Sequence, residues 1–226
     1  MSRYVTVSAP VLALLFFFVG CYFALFNSDA DYQQGEFVRI MYVHVPSAWM
    51  ALGIYSFIGI SSIMYIIWRN KLFDIMARKS ALVGAVFALI TLITGSLWGK
   101  PVWGAWWAWD ARLTSMLILF FFYLGYMALC NSLQEQTISS DTPAILAIIG
   151  LVNIPIVKFS VDIWNTLHQP ASILKLGSPT IHSSMLLPLI LMFLGCVFFF
   201  ISTVITRVKI EIIQRKLLRN NSIKAK

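Results

Sequence analysis

The order of apolar and polar positions divides the chain into six long hydrophobic stretches separated by short polar connections. A helix needs about 20 apolar residues to cross the hydrocarbon core, and lipid tolerates no unpaired backbone there. Six segments meet that demand: 4–26, 49–68, 81–98, 113–130, 142–161 and 185–205. The pattern predicts an all-α membrane protein, with residues 1–226 forming a single membrane-embedded domain of six transmembrane helices and short external connections. The fifth stretch is the least regular, because Asn153, Pro155 and Lys158 interrupt it. Pro155 and Pro188 lack a backbone donor and are expected to kink their helices. The first stretch is too long for a signal-peptide core, has only Arg3 ahead of it, and is followed by no small-x-small cleavage site. It reads as a retained span.

Composition agrees with that division. The chain is 59% hydrophobic and 12% charged, with a mean hydropathy of +0.81, whereas soluble domains carry about 25% charged residues. Lys and Arg set the orientation, since they concentrate on the cytoplasmic side. With the N-terminus inside, the inner side holds Arg3, Arg69, Lys71, Arg78, Lys79 and seven basic residues after position 206. The outer side holds Arg39, Lys100, Arg112, Lys158 and Lys175. Twelve against five places both termini in the cytoplasm and the connections near 27–48, 99–112 and 162–184 outside. The net charge of +8 is therefore a tail beside anionic membrane lipid rather than a nucleic-acid surface. Cys21, Cys130 and Cys196 each sit in an apolar run and form no CxxC or CxxCH pair, which argues against thiol redox chemistry, zinc clusters and covalent haem.

The uncommon residues gather in the outer connections. Trp98, Trp103, Trp106, Trp107 and Trp109 fall within twelve residues, interleaved with Gly, Pro, Asp110 and Arg112. An aromatic belt spreads Trp over many helix ends, so this density suggests a ligand platform. On a short interfacial helix over 102–111, Trp103, Trp106, Trp107 and Asp110 would share one face. That face would suit a large planar ligand by offset stacking. The chain has three histidines, His44, His168 and His182, all in outer connections. Neutral imidazole is a common axial ligand of haem iron, and His44 and His168 are the candidates, because both accompany the tryptophan face. His182 reads as an ordinary interfacial residue. Haem propionates favour Arg or Lys partners, for which Arg39 and Arg112 lead. Lys158 ends an apolar helix and reads equally as a snorkelling cation.

The run Trp103-Gly104-Ala105-Trp106-Trp107-Ala108-Trp109-Asp110 resembles the WGxxWxWD signature of haem-handling membrane proteins. The stretch from Trp98 to Thr114, with those around His44 and Trp164–Gln169, is similar to the haem exporter protein C family (CcmC) in particular. The resemblance covers nearly the whole chain from about Asp31. It implies six spans, two external histidines at His44 and His168, and non-covalent haem b held in transit with those histidines as axial ligands. It also implies presentation of haem to a periplasmic haem chaperone (CcmE). A small membrane subunit (CcmD) and ATP-binding cassette subunits (CcmA and CcmB) would assist release. The location implied is the inner membrane of a bacterium, or of a mitochondrion if the chain is organellar.

Haem trafficking in c-type cytochrome biogenesis, by a protein that is not itself an enzyme, is the reading these residues favour. A membrane b-type cytochrome or quinol-linked redox subunit is the alternative. Such proteins pair histidines across their spans, and no span here holds a central histidine. His168 and His182 are separated by Pro170, Gly177 and Pro179, which would break a shared helix. A plain transporter would need polar groups near the membrane midplane, where Asn153 and Lys158 are the only hints. No metal site other than haem iron is expected.

Overall fold

The computed structural model describes residues 3–132, 141–168, 173 and 180–224. Lys175 and the breakers Pro170, Gly177 and Pro179 lie outside the described residues. The described residues form an α-helical bundle, α1 (Arg3–Tyr22), α2 (Met41–Trp68), α3 (Lys71–Trp103), α4 (Ala111–Ser132), α5 (Thr142–Gly150), α6 (Asn153–Ile163) and α7 (Ser183–Lys224). A π-helical turn, Phe23–Asn27, extends α1, and a 3₁₀ turn, Glu36–Ile40, leads into α2. Six of these segments are long and apolar enough to cross a membrane, with α5 and α6 together making the fifth.

The spans run further than the hydrophobic pattern alone indicated. The second begins at Glu36 rather than 49, and the third covers 71–103 rather than 81–98. Polar residues near the ends were read as connections, yet in the bundle they have partners. Arg39 bonds the carbonyl oxygen and hydroxyl of Ser28, and His44 lies 3.0 Å from the Thr94 hydroxyl. At 1.5 Å per residue, α3 is about 50 Å long, which exceeds the roughly 30 Å of a hydrocarbon core. The turn from α2 to α3 is tight: Arg69 closes α2 in the left-handed region at φ 53°, and the Asn70 side chain caps α3 by accepting from the Leu72 N–H at 3.0 Å.

The expected kink at Pro155 appears as a break one turn earlier. Pro155 has no N–H to offer the Leu151 carbonyl, and the chain leaves α-helical bonding at Leu151–Val152, where the bonds shorten to i−3. The Leu151 carbonyl accepts instead from the Ile154 N–H at 3.1 Å, and the buried Asn153 amide fastens the break to α4 by donating to the Ser115 carbonyl at 2.9 Å. No comparable break occurs at Pro188, through which α7 continues.

Small residues let the helices close on bulky neighbours, as expected where association depends on packing rather than water exclusion. Gly84 of α3 makes room for Tyr123 of α4: a Cβ there would lie 2.3 Å from the Tyr123 ring and hydroxyl. Tyr123 is fully buried and donates to the Ala51 carbonyl of α2 at 2.6 Å, which joins three helices at one point. Gly53 has nothing within 4 Å of its Cβ direction. Gly84→Ala is therefore expected to destabilise the protein by about 1–3 kcal/mol through overpacking. Gly53→Ala should be neutral or slightly stabilising. Thermal unfolding of both variants in detergent checks the contrast, and equal midpoints would contradict the packing described.

The connections sort to two ends. At one end lie the ion pairs Arg69–Asp141 (2.7 Å), Arg78–Asp74 (2.8 Å) and Lys79–Glu211 (2.7 Å). α1 and α7 run antiparallel, with Phe16 stacked on Phe198 and Thr6 bonded to Lys209, so the start of α1 and the end of α7 belong to this end. The connections at 28–35 and 104–110, with the described residues 164–168 and 180–182, belong to the other. It is there that the bundle opens.

Candidate functional site

A cavity of about 710 Å³ enters the bundle between these three connections, within the range of small-molecule sites. Its floor is apolar, made by Leu52, Met116 and Phe193. Around its mouth stand His44, Trp98, Trp103, Trp107, Arg112, Lys158 and His168. They come from several parts of the chain. His44 occupies the first turn of α2, Trp98 and Trp103 the last turns of α3, Arg112 the start of α4, Lys158 the middle of α6, and His168 the segment beyond it.

The tryptophan-rich segment is not the interfacial helix expected over 102–111. α3 continues through Trp103 and stops at Gly104, whose φ of 77° is the left-handed cap that favours glycine, with its N–H on the Lys100 carbonyl. Residues 105–110 then run irregularly to α4. The shared face of Trp103, Trp106, Trp107 and Asp110 is thus divided. Trp103 and Trp107 line the cavity, whereas Trp106 (56% exposed) and Trp109 (78% exposed) point outward. Trp109 packs edge-on against Trp107, with ring centroids 5.5 Å apart. Trp98 is fixed by a bond from its indole N–H to the Gln34 side-chain oxygen at 2.8 Å. The Trp107 N–H is buried and without a hydrogen-bond partner.

Asp110 does not line the cavity but organises its rim. One carboxylate oxygen accepts from the Leu113 N–H at 2.8 Å, capping α4, and the other accepts from the Leu167 N–H at 3.3 Å. The carboxylate thereby ties the segment beyond α6 to the start of α4. It also faces His168, whose Nδ1 lies 3.7 Å from Asp110 Oδ2, too far for a hydrogen bond. That nitrogen is buried and unpaired. Its ring packs edge-on against Trp103, with centroids 4.8 Å apart. Burial first, and the nearby Arg112 charge second, push the His168 pKa down to about 4. The imidazole is consequently neutral at physiological pH, the form that binds metal.

His44 sits against α3, with Nδ1 on Thr94 and Trp98 edge-on at 5.7 Å. Arg112 donates to the Ser160 hydroxyl and the Lys158 carbonyl, both at 3.3 Å. Both Arg112 and Lys158, whose role the sequence left undecided, line the cavity. Arg39 lies elsewhere: its guanidinium bonds Glu36, the Ala24 carbonyl, and the hydroxyl and carbonyl of Ser28. It latches the end of the first span to the entry of the second and is not among the cavity's lining residues. Arg39→Ala should thus lower thermal stability while leaving a ligand in the cavity spectroscopically unchanged. An altered spectrum at undiminished stability would return Arg39 to the site. His182 is 65% exposed, bonded to Ser184 and 3.5 Å from Asp29, outside the cavity lining.

Sequence reasoning did not single out Gln34, Thr94 or Gly95. Thr94 and Gly95 could have been found from Trp98, because they lie one turn before it on the same helix. Gln34 carries no sequence signal of its own.

The arrangement can take a large, mostly apolar ligand, stack it on indole rings, offer it two imidazoles, and meet its acidic groups with Arg112 and Lys158. The unpaired Trp107 N–H, together with this donor set, fits haem. Comparison with known proteins agrees. The family profile described as heme exporter protein C matches residues 1–223. The heme exporter protein C of Bradyrhizobium diazoefficiens is 40% identical over 221 residues, covering 95% of this chain and 84% of its own. That of Haemophilus influenzae is 43% identical over 203 residues, covering 90% and 82%. A ccmC-like mitochondrial protein of Marchantia polymorpha, named for cytochrome c biosynthesis, is 51% identical over 181 residues, covering 80% and 75%. On the length and strength of these matches, the chain belongs to the haem exporter protein C family.

Proposed function

We propose that the cavity holds haem b non-covalently on the outer face of the membrane, with His44 and His168 as the axial ligands of its iron, and presents it for transfer during c-type cytochrome biogenesis. The observation that carries this reading is the convergence of the two histidines, from α2 and from beyond α6, on one tryptophan-lined cavity. Membership of the haem exporter protein C family supports it. Bound haem supplies an iron centre that accepts nitrogen ligands on both faces. The chain's own residues do the rest. Trp98, Trp103 and Trp107 support the macrocycle, the floor of Leu52, Met116 and Phe193 excludes water, and Arg112 and Lys158 receive the propionates. Trp106 and Trp109, exposed beside the mouth, are placed to meet whatever takes the haem away.

The receiver we infer is the periplasmic haem chaperone (CcmE), with the small membrane subunit (CcmD) and the ATP-binding cassette subunits (CcmA and CcmB) driving release. The chain acts as a binding and hand-over protein in the inner membrane, bacterial or mitochondrial, with both termini on the cytoplasmic side. Both histidines lie at one end of the bundle, in an arrangement suited to delivery rather than to electron transfer across the membrane.

Hand-over is tested by co-expressing the chaperone with wild type, with His44→Ala, with His168→Ala and with a Trp106→Ala/Trp109→Ala double variant. The expected result is haem on the chaperone with wild type and none with either histidine variant. The tryptophan double variant should retain haem but pass on less of it. Equal loading of the chaperone by all four would contradict the proposal.

A further inference from the structure

The Thr94 hydroxyl has one proton to give, and its short contact to the Ile90 carbonyl, 2.6 Å, claims it; the Thr91 carbonyl stands at 3.3 Å. Its remaining lone pairs face His44 Nδ1 at 3.0 Å. A hydroxyl whose proton is committed can only accept, an arrangement that favours the proton of a neutral His44 ring on Nδ1. That leaves Nε2 deprotonated. The next residue reinforces the arrangement: a Cβ on Gly95 would lie 3.0 Å from His44 Cε1 and 3.5 Å from Nδ1, so a larger residue 95 would push the ring away slightly. Trp98, one turn on, closes the ring from its edge. One face of α3 thus fixes both the tautomer and the tilt of His44.

We propose that Thr94 is a positioning residue for haem binding: by accepting the Nδ1 proton of His44, it keeps Nε2 as the free donor atom facing the cavity. This rests on the haem reading given above, but the part concerning the histidine does not require haem. Partners on the non-ligating nitrogen set ligand orientation and basicity, and their loss costs about 10–100-fold in metal affinity. Thr94 supplies such a partner from a helix, whereas His168 has only the more distant Asp110 carboxylate. The two histidines are therefore unequal. His44 is held ready before the ligand arrives, and His168 gains its hydrogen bond only if it moves toward Asp110.

Two readouts separate the claims. The chain has three histidines, so ¹⁵N-histidine labelling of the full-length, haem-free protein in detergent resolves their tautomers, with His44→Gln assigning the signal. His44 is expected as the Nδ1–H tautomer in wild type and Thr94→Ser, and as Nε2–H or a mixture in Thr94→Val, which keeps the side-chain volume. An Nε2–H tautomer in wild type, or no change in Thr94→Val, would overturn the proposal. In haem titrations, Thr94→Val should bind about 10–100-fold more weakly and show more high-spin iron, with Thr94→Ser restoring both. Gly95→Ala should perturb the spectrum without changing the tautomer. Equal affinity and spectra for Thr94→Val and wild type would remove Thr94 from haem binding while leaving the haem reading intact. A wild type that bound no haem would overturn that reading and Thr94's role toward iron together.

Discussion

His168→Ala is expected to convert a six-coordinate, low-spin haem complex into a high-spin one and to weaken haem binding by about 100-fold or more, beyond the effect of losing only a partner of the ligand. The side chain sits at the cavity mouth on a segment without helical support, held by Trp103, Asp110 and a local turn at Thr166. Removing it leaves a vacancy that solutes can reach. Added imidazole should therefore restore the low-spin spectrum. His44→Ala should behave differently. Its ring is enclosed by Thr94, Gly95 and Trp98 on α3, so added imidazole should recover that variant less completely. Titrating both variants with imidazole, monitored by absorption, checks the asymmetry. Identical recovery would contradict the placement of the two ligands.

The second large effect is expected at Asp110, although its side chain does not line the cavity. Three tasks meet in one carboxylate: the cap of α4, the anchor of Leu167, and the acceptor facing His168. Asp110→Ala removes all three. Loss of the cap alone costs about 0.5–2 kcal/mol, and release of the 164–168 segment should weaken haem binding by about 10–100-fold. Asp110→Asn separates the contributions, because its single carbonyl oxygen can still cap α4. It cannot serve Leu167 and His168 as well. Asparagine should hence recover most of the thermal stability lost in Asp110→Ala but little of the haem affinity. Parallel recovery of both would make Asp110 a purely structural residue.

The six spans were legible because hydrophobic length is a coarse property that lipid imposes on the whole segment. Their ends were not, since the same polar residues read as a connection when isolated and as part of a helix when partnered. Arg39 shows this most clearly. It was expected beside the ligand because it precedes His44 by five residues, yet its donors are taken by Ser28 and Ala24, brought close only by tertiary packing. The tryptophan segment failed as a helix for a local reason that was readable: Gly104 follows Trp103 as a left-handed cap. The gathering of His44, His168 and three of the five tryptophans around one cavity was anticipated from their common side of the membrane. Thr94 was not, because a threonine in an apolar helix looks like any other until its neighbour across the interface is known.

The central claim is that two histidines at one end of the bundle hold a single haem. The most direct measurement is the absorption spectrum of the detergent-purified protein titrated with haem, beside His44→Ala, His168→Ala and the double variant. Saturable uptake at one equivalent, a low-spin six-coordinate spectrum in wild type, high-spin spectra in each single variant and no specific uptake in the double variant are the expected results. A wild type that takes up no haem, or one whose spectrum neither substitution alters, would contradict the account.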